Sequence, residues 1–344
     1  MKNQAGYTLV ELVVAAAVML TVASGILAVI GSGLGSSAVW NEASDLHQRA
    51  RVAAETFTAE INAAGAGTLN GPLSRFLPAV EPKRRGAGAA ASAITVRYVP
   101  VNGPSSTLSA DLSPGGSSAA IVVHPGCGAG TTACGFVSGS DVILFDHAGN
   151  WDVSTVQTIG PATLELADPS GMRSSTYPAG SFVAQLVETT LFFDSAERQL
   201  RREQPGGGAL PVLDNVVDLQ FSYFGDPLPP VEPTPPLGTA TCLATATGAS
   251  VPQPVLYADH GALALLPLAT LTDGPYCGTG GGAYDVDLLR IRSIRVVLRL
   301  QAGVDTLRGR DARLFARPGS ATTRDRSIPD EIVSLDLSPR NLQR

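Results

Sequence analysis

The sequence predicts an α+β chain in which a long N-terminal helix, membrane-spanning in its first half and amphipathic in its second, packs on an antiparallel β-sheet domain. Three observations carry this. Tyr7 to Ile30 is an apolar run with a single charge, Glu11. From Ser36 to Ala64 apolar residues recur every three or four positions, and beyond residue 67 the pattern changes to short segments that alternate apolar and polar residues.

At about 1.5 Å per helical residue the run from Tyr7 to Ile30 reaches about 36 Å, enough to cross a hydrocarbon core of roughly 30 Å with some tilt. Glu11 is the feature that needs a reason, because a carboxylate at the middle of a bilayer costs roughly 2.5 to 3.5 kcal/mol or more. A cleaved secretory signal peptide would carry a basic start and a shorter apolar region of about 7 to 15 residues. Here only Lys2 is basic and Glu11 interrupts a longer run. A plain anchor explains the length and leaves the carboxylate unexplained.

The second half of the helix shows one apolar stripe: Val39, Ala43, Leu46, Ala50, Ala53, Phe57, Ile61 and Ala64. Glu42, Asp45, Gln48, Arg49, Glu55 and Asn62 occupy the opposite face, so this half packs one side against protein, and Gly65-Ala66-Gly67 ends it. Between the halves lies Gly31-Ser32-Gly33-Leu34-Gly35-Ser36. No strand precedes it and no Lys-Ser or Lys-Thr follows, which excludes a phosphate loop. Each glycine weakens a helix by about 1 kcal/mol relative to Ala, so a flexible or locally unwound stretch is expected there.

Strands are expected at Ala93 to Val99 and Ala119 to His124. Asp141 to Phe145 with Trp151 to Thr158 reads as a hairpin turning at His147 to Asn150, and Phe182 to Phe193 with Gln199 to Glu203 as another turning at Asp194 to Glu197. In Val216 to Tyr223, Val217, Leu219, Phe221 and Tyr223 share one face; in Arg295 to Leu300, Val296, Leu298 and Leu300 do. Such half-buried strands after one long helix predict that the helix stripe covers the sheet.

The stretch from Gly225 to Gly282, crowded with proline and glycine, reads as an insertion between two sheet strands. The four cysteines are Cys127, Cys134, Cys242 and Cys277. An even number in a chain whose bulk lies outside the cytoplasm favours disulfides. Of the three possible pairings, Cys127 with Cys134 and Cys242 with Cys277 join cysteines near in sequence and flanked by glycines that permit a turn. Neither pair has metal-ligand spacing, so no metal is expected.

Gly6-Tyr7-Thr8-Leu9-Val10-Glu11, after a short polar leader with a Lys and before an apolar helix, resembles the processing site of type IV prepilins and type II secretion pseudopilins. The resemblance implies that a prepilin peptidase cuts between Gly6 and Tyr7 and methylates the new amine. It also implies that Glu11 pairs in lipid with the terminal amine of a neighbouring subunit, each charge lowering the cost of the other. Tyr7 stands where the family usually has Phe. More weakly, Val216 to Tyr223, the basic strand Leu288 to Leu300 and the ending Ser338-Pro339-Arg340-Asn341-Leu342 resemble the later part of PilW-type minor pilins and J-type pseudopilins.

The resemblances together imply a leader over 1–6 and a pilin helix over 7–64, membrane-spanning at 7–30. A periplasmic or extracellular β-rich domain follows over 65–344, with its insertion at 225–282. They imply a minor subunit that initiates or caps a filament, held single-pass in the inner membrane before assembly. Expected partners are major and minor pilins or pseudopilins, the prepilin peptidase, an inner-membrane assembly platform and membrane lipid.

Catalysis and cofactor binding are not expected. The histidines His47, His124, His147 and His260 are scattered, and no nucleophile, base and orienting group assemble. Asp285 and Asp287 beside glycines have the chemistry of a calcium loop, and Asp141 with Asp146 is a second acid pair; acids flanking strands more often end them in solvent. Arg290, Arg292, Arg295, Arg299, Arg308, Arg310 and Arg313 read as a solvated face or subunit contact, since they alternate with apolar residues near acids. With a net charge of −6, no nucleic-acid partner is expected.

Overall fold

A computed structural model describes residues 8–68, 77–83, 92–124, 132–147, 151–167, 176–205, 207–227, 263–268, 271, 286–323 and 326–342, with side chains 28–36, 132 and 286 excepted. The chain divides into two compact units, Met1–Arg51 with Leu300–Glu331 and Val52–Arg299 with Ile332–Arg344.

Helix α1 runs without a break from Leu9 to Ala63. It continues through Gly31 to Ser36, against the expected unwinding. Helix flanks this stretch on both sides, and interrupting a formed helix forfeits several backbone hydrogen bonds and requires a second nucleation, which outweighs three glycine penalties. The expected stripe is buried at Leu46, Ala50, Ala53, Phe57, Ile61 and Ala64. Gly65, at φ +69°, ends the helix in the left-handed conformation that favours glycine. Its N–H donates to Arg97 O at 2.9 Å, and Val99 N–H donates to Ala66 O at 2.9 Å. Gly67 has a different constraint: a Cβ there would lie 2.1 Å from Val99 O. From the far end of the chain, Asn341 Nδ2 donates to Ala64 O at 3.2 Å, satisfying a carbonyl of the helix terminus.

One sheet was expected beneath the helix; the second unit holds three. The first has the order β1 (Val80–Lys83), β2 (Ala93–Tyr98), β9 (Val187–Asp194), β10 (Gln199–Glu203) and β11 (Leu210–Asp214), all pairs antiparallel. The second has the order β13 (Ala264–Leu266), β12 (Val216–Gly225), β14 (Ile291–Leu300) and β15 (Glu331–Leu337). The third has the order β3 (Ser105–Thr107), β8 (Phe182–Gln185), β5 (Asp141–Phe145), β6 (Trp151–Ile159), β7 (Thr163–Ala167) and β4 (Ser118–Ala120). The hairpin of β5 and β6 forms as expected, with Phe145 opposite Trp151.

The run Phe182 to Phe193 is not one strand. It divides at Leu186, whose N–H donates to Asp141 O, so that β8 joins β5 while β9 joins β2 and β10. A twofold hydrophobic period cannot announce this change of sheet, because apolar residues are wanted on both sides of it. The expected turn at Asp194 to Glu197 is present: Asp194 Oδ1 accepts the N–H groups of Ala196 and Glu197. The expected strand at Ala119 to His124 shrinks to Ser118–Ala120 with an isolated bridge from Ile121 to Leu108.

Packing follows the pattern of apolar residues. On β12 and β14, Leu219, Phe221, Tyr223, Val296, Leu298 and Leu300 are buried, whereas Val217 is only half-buried. Phe57 of α1 meets Phe221 edge-on, ring centroids 6.0 Å apart, so the helix stripe covers this sheet. Strand β5 is apolar on both faces, with Val142 and Leu144 in one cluster and Ile143 and Phe145 in another. The segment expected as an insertion loop contributes β13 to the second sheet. Where it leaves β12, the buried Arg290 donates from Nε to Asp226 O at 2.8 Å and from Nη2 to Pro227 O at 3.1 Å, and its Nη1 lies 3.0 Å from Asp287 Oδ1.

Two buried polar side chains contrast. Arg97 on β2 donates from Nε to Glu188 at 2.6 Å and from Nη2 to Glu81 at 2.5 Å. Burial alone would lower its pKa, and the two carboxylate charges reverse that and raise it. Tyr223 is buried with its hydroxyl unpartnered among the described residues, and burial pushes that hydroxyl up. Arg97→Ala therefore leaves two carboxylates facing each other and is expected to cost about 3 kcal/mol. Tyr223→Phe removes only an unsatisfied group and is expected to change stability by less than about 1 kcal/mol, toward greater stability. Denaturant unfolding of the full chain in detergent measures both; equal effects would refute the contrast.

Candidate functional site

The N-terminal segment of α1 is the site that the sequence singles out, and its first described residues show how it is built. Thr8 is the N-cap and Glu11 the third helical residue. Glu11 N–H donates to Thr8 Oγ1 at 3.3 Å, while Glu11 Oε2 accepts from Thr8 N–H and from Thr8 Oγ1, both at 3.0 Å. This is a capping box, two otherwise unpaired N–H groups satisfied reciprocally. The carboxylate is thus turned back toward the start of its own chain, a local role beside the intermolecular one that the resemblance implies. The Thr-x-x-Glu spacing is its signal in the sequence. Gly6 and Tyr7, the expected processing residues, lie outside the described residues.

Beyond the box, every apolar side chain from Leu9 to Leu27 is exposed, and this stretch is long and apolar enough to cross a membrane. Thr21 Oγ1 donates to Val18 O, and Ser24 Oγ to Leu20 O, so the hydroxyls within the run are satisfied by the helix itself. An exposed apolar surface of this size is stable in lipid or against other apolar helices, and not in water.

The remaining residues singled out by the sequence do not converge. Cys134 carries no free thiol; Cys127, Cys242 and Cys277 lie outside the described residues. Asp287 is fully buried against Arg290, which takes it out of the calcium chemistry considered for it, and Asp285 lies outside the described residues. Asp141 accepts from Thr155 Oγ1 at 2.7 Å, and Asp146 is buried. His47 Nδ1 lies 3.0 Å from Glu331 Oε2 without hydrogen-bond geometry, His124 is exposed, and His147 meets the ring of Phe182 edge-on. His260 lies outside the described residues.

The seven arginines have different surroundings. Arg290 and Arg308 are buried. Arg295 pairs with Asp336 at 2.6 Å and lies over the Phe224 ring. Burial lowers the pKa of Arg292, partly opposed by Asp226. Arg290, Arg292, Arg295 and Arg299 belong to one unit, and Arg308, Arg310 and Arg313 to the other.

The capping box predicts that Thr8→Ala weakens the first turn of α1 by about 1 kcal/mol. Hydrogen exchange of the full chain in detergent should then show the Glu11 amide exchanging about fivefold faster, with the amides near Leu20 unchanged. An unchanged Glu11 amide would show that the box contributes nothing.

Residues 1–27 match the family model described as the prokaryotic N-terminal methylation motif. No curated protein and no solved structure matches the chain. The chain carries a prepilin-type N-terminal motif on an apolar helix of membrane-crossing length, joined to antiparallel sheets in an α+β fold, and is in these respects type IV pilin-like.

Proposed function

We propose that this chain is a minor pilin of the PilW type, a non-catalytic structural subunit that helps to initiate or cap a type IV pilus. The observation that carries this reading is the methylation motif over residues 1–27, placed on the exposed apolar stretch Leu9 to Leu27, whose one charge is Glu11. In this reading the precursor sits single-pass in the inner membrane with its β-rich domain in the periplasm. A prepilin peptidase cuts between Gly6 and Tyr7, and the mature chain joins other pilins through an inner-membrane assembly platform. Glu11, already held beside the chain start by Thr8, pairs there with a neighbour's terminal amine. The length of the chain and the arrangement of Val216 to Tyr223, Leu288 to Leu300 and Ser338 to Leu342 favour a minor subunit. A minor pseudopilin of type II secretion is the second reading, favoured by the same N-terminal motif; the neighbouring genes separate the two.

Replacing Gly6 with a bulky residue should leave the precursor uncut, read by intact mass; a mature chain starting elsewhere than Tyr7 would refute the site. Glu11→Gln should leave insertion and cleavage intact yet reduce co-purification with other pilins and the number of surface filaments. Normal recovery and normal filament number would remove Glu11 from assembly.

The proposal includes the disulfides Cys127 with Cys134 and Cys242 with Cys277. Each is typically worth about 2 to 4 kcal/mol, with the longer loop gaining more in the chain-entropy picture. Non-reducing peptide mapping should recover both; a link from Cys134 to Cys242, or free thiols in periplasmic material, would overturn the pairing.

A further inference from the structure

We propose that the loop closed by Gly309 and Gly319 docks on the membrane surface and binds anionic phospholipid headgroups through Arg310, Arg313 and Arg317. The inference rests on the reading that α1 spans the bilayer.

The loop is built to hold one shape. Gly319 N–H donates to Gly309 O at 2.9 Å and closes its neck, and beside it Ser320 N–H donates to Asp305 O and Ala321 N–H to Arg308 O, both at 3.0 Å. Both glycines are forced by crowding: a Cβ on Gly319 would lie 2.2 Å from Asp305 O, and one on Gly309 would lie 2.6 Å from the Phe315 ring. Inside the loop Asp311 O accepts the N–H groups of Leu314 and Phe315, and Phe315 is buried. Arg310, Arg313, Leu314 and Arg317 are exposed, together with Ala312, Ala316, Pro318 and one carboxylate, Asp311.

Several acids around the loop accept hydrogen bonds, while Asp305 at its neck is exposed. Asp311 Oδ1 accepts from Arg313 N–H at 3.0 Å, and Asp330 Oδ2 accepts from Ala316 N–H at 2.6 Å. Glu42 accepts from Arg49 at 3.0 Å and from Gly303 N–H at 2.6 Å, and Asp45 accepts from Arg49 at 2.8 Å. Arg310, Arg313 and Arg317 have no ion-pair partner among the described residues. Three unpaired guanidinium groups around an exposed leucine complement a surface of phosphate oxygens over hydrocarbon.

The placement on α1 fits the same partner. Leu12 to Asn41 contains no Asp, Glu, Lys or Arg. At about 1.5 Å per residue these thirty residues reach about 45 Å, the thickness of a bilayer with its headgroups. Trp40, 75% exposed, is the last large apolar side chain before the charged residues begin at Glu42. The residues immediately beyond, Glu42 and Arg49, hold the base of the 300–331 segment through Gly303 N–H and Gln301 O. The 300–331 segment that carries the arginine loop is therefore tied to the stretch of α1 that follows its apolar run.

The test uses the full chain carrying a fluorophore at Leu314→Cys, reconstituted in phosphatidylcholine vesicles with and without phosphatidylglycerol. Quenchers placed in the headgroups and in water report where the label lies. Phosphatidylglycerol should move the label into reach of the headgroup quencher, and raised salt should reverse this. Each Arg→Gln change at 310, 313 or 317 should lower the docked-to-undocked ratio about fivefold. A label equally open to water in both lipids, or a triple variant that keeps the phosphatidylglycerol response, overturns the proposal. Shielding by added duplex DNA with no effect of lipid composition overturns it in favour of nucleic-acid phosphate. A second label at Met19→Cys separates the two layers: if it is quenched from water, the membrane-spanning reading fails and the loop proposal with it. If Met19 lies in lipid and the loop ignores lipid charge, the loop proposal alone fails.

Discussion

A single helix that must satisfy two different surroundings is the constraint on which the rest depends. In its first half α1 exposes apolar side chains all round; in its second half it buries one stripe, from Leu46 to Ala64, and keeps the other face polar. The backbone needs no change between the two, because helical hydrogen bonds are internal and serve equally in lipid and in protein. The ends are where internal bonds run out, and both ends are capped. Thr8 and Glu11 satisfy the first N–H groups, and Gly65 with Asn341 satisfies the last turn.

The second unit shows how a β-rich domain accommodates polar groups that cannot reach water. Arg97 is held between Glu188 and Glu81, and Thr95 bonds Thr190 across the same sheet at 2.8 Å. Arg290 uses its whole guanidinium on Asp287 and on the carbonyls of Asp226 and Pro227. In both cases the geometry that satisfies the charge also fixes where chain segments enter the sheet, so removing the charge would loosen a junction as well as a bond. Arg290 does this at the point where the proline-rich segment departs from β12.

Among the described residues, the side chains with catalytic or metal-binding chemistry do not gather in one place. The residues with catalytic or metal-binding chemistry are spread over separate strands and committed locally: Asp287 to Arg290, Asp141 to Thr155, Tyr177 to Asp152. Among the described residues, the apolar face of α1 and the arginines of the Gly309 to Gly319 loop are groups without local commitments. Each is complementary to something outside the chain, the first to hydrocarbon or other apolar helices, the second to phosphate.

Much was legible in the sequence where one residue type leaves one physical choice. An uncharged apolar run, a stripe at helical spacing ending in glycines, and β5 facing β6 are local patterns, and local patterns are written in neighbouring residues. Thr8 and Glu11 are equally legible as a capping box, being three residues apart in the Thr-x-x-Glu spacing. The division of Phe182 to Phe193 between two sheets, the pairing of Arg97 with residues 16 and 91 positions away, and the hold of Asn341 on Ala64 were decided only in three dimensions. The same holds for the helix through Gly31 to Ser36, where local propensity argued for a break and cooperativity overrode it. The physical reason is common to all of them: alternation and propensity state which residues avoid water, and only tertiary contacts choose among the partners that can exclude it.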